Sequence, residues 1–580
     1  MEDSMTLMRT LVTLCALAVG SRADALATIG SDAGCTYGPA TVNPVQTAFN
    51  AGHTDIRLTG GLSYTGSLVL AGNADVTIRG GYSNCAAAAA GQLPSNPVRS
   101  VLQPGVANGT AVILVESVQR RRLVTLELVE IRPNAALGTA GSGLAVGGAL
   151  DATLVRSRIT GFRSAGDGGG VAISLGRLTL VRSSIDDNRG RDGGGVNCNS
   201  GEVLLDFASS LRANQANGNG GGAYLDQCNL VSNGRNLPGT QGGPAGVLDN
   251  RATGRGGGLY QCGGFTSIAG GPACTVNPGT ACSAQLALVS GNRAEVSGGG
   301  AFLTAQAELE AMFSQIANNS AILTGGALHV EQSQVRIGGF AGDFPSFDRS
   351  SCLNRICDAV FSNRLGAVDD SFLSGEGGAI FGQDAFITLR EVFLTDHRAL
   401  SGTVAYNRGS GVLTLEQSLV VQAPRQGDAG QYMFRVGDTA DLDVRESTLI
   451  GQRAGELALL RADQSTDLLL NRSVVAALVD GLSALSAGPQ VAVLGDCNAQ
   501  ARGNHAVFDG PAVTAADFDA EYAPIGSSQL VDRCSGAGAR ARDIRGNTRV
   551  QAQSAATSST PMDIGAFELG TQALFGNGFE

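Results

Sequence analysis

Residues 211–222 read Leu211-Arg212-Ala213-Asn214-Gln215-Ala216-Asn217-Gly218-Asn219-Gly220-Gly221-Gly222, and their spacing decides the fold. An apolar residue is followed after two positions by Asn, after one more by Ala, and after three more by Gly-Gly. The same spacing returns at Val247/Asn250/Ala252/Gly256, Val289/Asn292/Ala294/Gly298 and Ile316/Asn319/Ala321/Gly325. Ile185/Asn188/Gly193 is a version one residue shorter. Recurrence at identical internal spacing marks a repeat. Ahead of this unit an apolar stretch ends in Ser: Ser157, Ser183 and Ser209 lie 26 residues apart, and the pattern recurs at Ser290, Ser314, Ser418, Ser447 and Ser473. Val392 takes the same place three periods after Ser314, so the phase survives the irregular segments between them.

A unit of this length has room for three short strands and three turns. Its apolar runs, such as Leu178-Thr179-Leu180-Val181, are too short for a helix and are bounded by Gly and Asn. Coils stacked in parallel pair strand on strand at about 4.8 Å and align equivalent side chains in columns. Val, Leu and Ile columns then form one long dry core. Asn188, Asn214, Asn250, Asn292 and Asn319 become an amide ladder at a turn, where Asn tolerates left-handed backbone, and Gly-Gly supplies a sharp corner. The expected fold class is all-β, a parallel β-helix of about 13 to 15 coils.

Composition agrees and excludes several chemistries. The chain has 580 residues, 83 of them Gly but only 16 Pro, which suits repeated tight turns. It contains no Lys and no Trp. Without Lys there is no Schiff-base enzyme and no phosphate loop ending in Gly-Lys-Ser/Thr. A net charge of −11 argues against a nucleic-acid partner. The run Arg120-Arg121-Arg122 is expected to be a solvated strand edge. Residues 1–25 read as an export signal peptide, with Arg9 ahead of an apolar stretch and small residues around Ala25. The expected location is therefore secreted or at the outer cell surface. No later apolar run is long enough for a membrane-spanning helix.

Cysteines fall in local groups, and an exported chain favours disulfides. The candidates are Cys35 with Cys85, Cys198 with Cys228, Cys352 with Cys357, and Cys497 with Cys534, plus one bridge among Cys262, Cys274 and Cys282, placed at Cys274 and Cys282. Zinc is the rival use, but no CxxC occurs and there are only four His.

The Asn-x-Ala…Gly-Gly units, with Gly325-Gly326-Ala327-Leu328 and Gly377-Gly378-Ala379-Ile380, resemble the repeats of secreted right-handed parallel β-helix proteins, including polymorphic outer-membrane proteins of autotransporter type. Asp543-Ile544-Arg545-Gly546…Arg549 and Asp563-Ile564-Gly565-Ala566-Phe567-Glu568 resemble the closing motif of bacterial choice-of-anchor Q β-helix proteins. The resemblance implies a right-handed solenoid and export, and it carries no catalytic residue with it. The expected organisation is an N-terminal cap over 26–55 with a short helix near Pro44–Phe49, coils over 56–494, a C-terminal cap over 495–568 and a tail over 569–580. Insertions are expected at about 228–246, 261–285 and 336–376.

Two functions compete on this scaffold. The leading expectation is a non-catalytic exported protein for surface display, adhesion or binding of an extracellular glycan or surface protein, with no cofactor. The rival is a lyase or hydrolase on acidic polysaccharide. Asp186, Asp187 and Arg189 are its first candidates, since a calcium-assisted lyase needs carboxylates around Ca²⁺ and a base. Asp369 and Asp370, in the third insertion, are its second. A column of Asp167, Asp192 and Asn219, continuing as Arg255, Ser297, Thr324 and Glu376, is the other place where Ca²⁺ could sit. His397 occupies the Asn place of its repeat and is expected to substitute in the ladder.

Overall fold

The computed structural model describes residues 26–567 apart from 116–120, 139–140, 207, 234–244, 274–281, 340–346, 349–351, 354–355, 367–374, 424–429, 464–465, 502–504, 532–533, 536–542 and 546–560. Residues 1–25, expected to be a signal peptide, the C-terminal tail, Asp369 and Asp370 lie outside the described residues. The chain winds as a right-handed parallel β-helix. Three long parallel sheets of 16, 15 and 14 strands run its length, with a short fourth of six. One turn shows the order: Arg177–Val181 in the first sheet, Ser184–Asp186 in the second, Arg189–Gly190 in the short one, Val196–Asn199 in the third, then Glu202–Asp206 back in the first. Register is one-to-one, as in Arg177 with Glu202 and Leu180 with Leu205.

Alternation makes the core. Leu178, Leu180, Ile185, Val196 and Cys198 point inward and are fully buried, while their chain neighbours face out. Each buried aliphatic side chain contributes about 1.5–3 kcal/mol, and the columns repeat that gain coil after coil. Among the inward positions that break the apolar rule, besides Ser232, Gln261 and Thr266, one carries a full charge. Arg122, expected on a solvated edge, is 1% exposed and donates from Nη1 to the carbonyls of Leu70 and Gly72. Its neighbour Arg121 is exposed and pairs with Asp151. Arg122 opens a strand at an inward position, in register with buried Leu150, and this register sets its burial.

The corners explain the repeated Ser, Asn and Gly. At the first corner the backbone N–H of Ser157 donates to Ser183 Oγ at 3.0 Å and that of Ser183 to Ser209 Oγ at 3.2 Å. At the second, Nδ2 of Asn188, Asn214, Asn250, Asn292 and Asn319 each donates to the next amide oxygen at 3.0–3.1 Å. The ladder gains Asn363, and the backbone N–H of Asn363 then meets Nδ1 of buried His397 at 3.4 Å. The left-handed residue is not the Asn itself, as the sequence suggested, but the residue before it: Asp187, Ala213, Asp249, Asn318, Ser362 and Asp396 have φ of 52–58°. The turn bends one position early, so the amide can lie flat in the stack and bond along the axis.

At the N-terminus Leu26–Ile29 pairs in parallel with Asp55–Thr59. The short helix Pro44–Asn50 buries Val45 and Ala48 against the core. A second short helix, Cys85–Ala90, starts where the Asn84 side chain accepts from the Ala87 N–H and stops at left-handed Gly91. Two insertions meet: Gly271–Ala273 pairs antiparallel with Cys282–Gln285, which pairs with Phe347–Asp348. Near the C-terminus Ile544, Ile564, Ala566 and Phe567 pack with Ile450, Val474 and Ala476 on the outer face of the second sheet. Disulfides join Cys35–Cys85, Cys198–Cys228, Cys352–Cys357 and Cys497–Cys534. Cys262 is a free thiol. The pairing placed at Cys274 and Cys282 falls outside the described residues.

Candidate functional site

The third sheet carries a column of rings on the face turned away from the core. Tyr224, Tyr260, Phe302, His329, Phe381 and Tyr406 occupy equivalent register positions on six adjacent strands. Centroid separations of 5.0, 5.3, 4.4, 4.9 and 5.8 Å follow the strand spacing, so each ring rests on the next. Every one lies four residues after the left-handed Gly of its corner: Gly220, Gly256, Gly298, Gly325, Gly377 and Gly402. That fixed offset is legible in the sequence, but unequal insertions hide it from a search for constant spacing.

Guanidinium groups cover the column. Arg255 lies over Phe302, Arg408 over Phe381 and Arg435 over Tyr406, at 4.8, 5.1 and 4.7 Å from the ring centroids. Such contacts are worth about 0.5–2 kcal/mol each and hold the arginines extended. Arg435 and Arg461 share Asp463, each through Nε at 2.9 Å. Thr324 Oγ1 bonds both Ser297 Oγ and His329 Nδ1 at 2.7 Å. Burial, then Arg255 and Arg408, push His329 down to about 3, so it is a neutral ring in the stack. Burial raises Tyr224 to about 12, and Tyr224 and Tyr260 remain half-exposed phenols at the near end. The result is a rigid column in which Phe302, His329, Phe381 and Tyr406 are buried beneath guanidinium groups and only Tyr224 and Tyr260 are partly exposed.

The acidic candidates are placed differently. Asp186 is clasped by Arg158 from the preceding coil, with Nε at 2.8 and 2.9 Å, and also accepts from Ser184 Oγ. Asp187, next in sequence, is exposed at a left-handed corner and pairs with Arg163 at 2.9 Å. Arg189 donates to Asn217 Oδ1 at 3.0 and 2.6 Å. Each thus has its own partner. In the Asp167, Asp192, Asn219 column the carboxylate and amide oxygens accept backbone N–H groups of the next coil: Asp167 from Asp192, Asp192 from Asn219, Asn219 from Arg255. Arg191 closes Asp167 from outside. This is a second ladder, in which carboxylates do the work of turn acceptors.

Three further groups are shifted far from their ordinary values, each chiefly by burial. Asp358 takes a Ser place, accepting from Ser314 N–H at 3.0 Å, and burial raises it to about 7. Burial also raises Glu456 to about 7, against the pull of Arg453 and the bond from Thr403. His397 is lowered to about 3 by burial and by Arg453. These groups sit in corners of the coil.

Among the described residues, the one group of three metal-ligating side chains within reach of each other is Asp32, Cys35 and Cys85. The two sulfurs are bonded at 2.00 Å, and Asp32 accepts from the Cys85 N–H at 3.0 Å. Only with that disulfide reduced could the set hold a cation, as one carboxylate and two thiolates. No helix among the described residues is long and apolar enough to cross a membrane. No family model matches the chain, and no curated protein matches it.

Proposed function

We propose that the chain is an exported, non-catalytic β-helix that displays a rigid binding surface outside the cell. The fold is a scaffold usable for binding or for catalysis, and one observation favours binding. The carboxylates Asp186, Asp187, Asp167 and Glu202 are each engaged in a cross-coil pair, with Arg158, Arg163, Arg191 and Arg177. A glycosidase needs two carboxyl groups opposed across a cleft, and a lyase needs a base beside a charge-stabilising site. The third sheet offers instead two half-exposed phenols, Tyr224 and Tyr260, and guanidinium groups held over buried rings, a fixed shape and fixed charge that bind at low ordering cost. Four disulfides suit an oxidising compartment. Retention of the purified chain on arrays of extracellular glycans and surface proteins, with the captured ligand recovered chemically unchanged, is the expected result. Recovery of cleaved ligand would overturn the reading.

A further inference from the structure

On the corner between the first and second sheets, the residue that precedes each second-sheet strand changes character near the N-terminal end. Arg99, Leu128, Arg156 and Arg182 hold this place on four successive coils, ahead of Ser100, Val129, Ser157 and Ser183. Leu128, Arg156 and Arg182 share the same left-handed backbone, φ 54°, 50° and 50°, and the N–H groups of Leu128 and Arg156 bond Val155 O and Val181 O at 3.0 and 2.9 Å. The buried Leu128 packs against Gly81, while Arg156 and Arg182 start from equivalent backbone positions on neighbouring coils, about 4.8 Å apart.

They line an open groove of about 630 Å³ together with Pro97, Val98, Val101, Glu130 and Arg132. Four arginines against one glutamate give this lining a charge of +3 in a chain of net −11. The cations are set in position. Arg99 Nε donates to the Arg156 carbonyl at 2.8 Å. Arg156 pairs with Glu127, whose other oxygen takes Arg79 Nε at 2.6 Å, so this carboxylate is shared between two guanidiniums and held below its usual range. Glu130 lies 3.6 Å from Arg132. Arg99 and Arg182 have no carboxylate partner among the described residues.

We infer that this groove binds a short stretch of acidic glycan, two or three sugars bearing carboxylate or sulfate groups. The inference rests on the binding-scaffold reading and names a ligand class and a place for it. Guanidinium forks match carboxylate and sulfate oxygens in pairs. Arginines drawn from neighbouring coils suit anions carried on neighbouring sugars of an extended chain. Val98, 63% exposed, offers an apolar spot for the sugar C–H face. No aromatic ring lines the groove, so nucleobases have nothing to stack on. It also lies on a corner and not on a strand edge, so an acidic peptide gains no main-chain pairing.

The test uses the full purified chain, a linear galacturonate tetrasaccharide, a sulfated chondroitin-type tetrasaccharide and, as the uncharged control, the methyl ester of the first. Titration calorimetry should show both acids binding, the ester binding at least tenfold more weakly, and affinity falling with salt. Arg132→Gln with Arg182→Gln should weaken the acids at least tenfold without moving the denaturation midpoint, while Arg336→Gln, elsewhere on the surface, should change nothing. Equal binding of acid and ester, undiminished binding by the double variant, or no binding of either acid would overturn the groove assignment and leave the scaffold reading standing. An oligothymidylate bound as tightly, with the same arginine dependence, would overturn the glycan assignment. Cleavage of either tetrasaccharide would instead overturn the scaffold reading.

Discussion

Asn319 and Asn363, 44 residues apart in sequence, meet amide to amide: Nδ2 of Asn319 donates to Oδ1 of Asn363 at 3.0 Å. Between them the chain leaves the coil, pairs with an earlier insertion through Phe347–Asp348 and returns in phase. The ladder therefore acts as a register pin, because a one-residue slip would leave buried amides unpaired.

Replacing a rung tests that role. Asn292 donates to Val247 O and Asn319 Oδ1, and accepts from both the N–H and Nδ2 of Asn250. Asn292→Ala strands buried donors on Asn250, at a cost of about 2–4 kcal/mol. Urea unfolding followed by circular dichroism should show a lower midpoint, and a surface change such as Gln334→Ala should not.

A corner glycine makes a sharper prediction. A Cβ on Gly221 would lie 2.3 Å from the Gly257 carbonyl oxygen and 2.5 Å from the Arg251 backbone, both in the next coil. Gly221→Ala should force two coils apart and yield insoluble or strongly destabilised chain. Gly481→Ala, where a Cβ meets nothing within 4 Å but φ is +83°, should cost only the left-handed penalty of about 1–2 kcal/mol. Comparable solubility of the two variants would contradict the stacking argument.

Cys198–Cys228 ties two consecutive coils along the axis, with both residues fully buried. Its 30-residue separation predicts a loss of about 3–4 kcal/mol in the Cys198→Ala/Cys228→Ala variant. Peptide mapping without reductant should recover the four described pairs. Cys262 should alkylate slowly, since burial raises its thiol above the ordinary value.

Stability should peak in mildly acidic solution. Asp358 and Glu456 are raised to about 7 by burial, so their contribution is full below the ordinary carboxylate range near pH ~4 and is lost as pH rises through about 7. His329 and His397 are lowered to about 3, so theirs is present above about pH 6.5 and is lost as pH falls through about 3. Asp358→Asn, which keeps an acceptor for Ser314, should flatten the alkaline side of a melting-temperature profile. His397→Asn should extend the amide ladder and flatten the acid side. Unchanged slopes would show that these groups do not control the pH response.

Much of the scaffold is readable from spacing, because stacking makes each coil repeat the same geometric demand. Asn214, Asn250, Asn292 and Asn319 stand out since an amide both donates and accepts along the axis and pairs directly with the next amide. Asn363 escapes that reading: Leu365 replaces the usual Ala, and an insertion delays the Gly pair to Gly377. Arg122 misleads because a charge run looks solvated until strand register turns one member inward. The ring column and the arginine groove are hidden for a further reason. They join residues from four to six coils separated by unequal insertions, so no single window of sequence contains them.

The central claim is that this surface binds and does not turn over. The direct measurement incubates the purified chain with polyuronates and neutral polysaccharides in the presence of Ca²⁺, following reducing ends and the ultraviolet absorbance of unsaturated uronates. The account predicts no product above a heat-denatured control. Product that disappears on Asp186→Ala or Asp370→Ala would contradict it and locate a catalytic site.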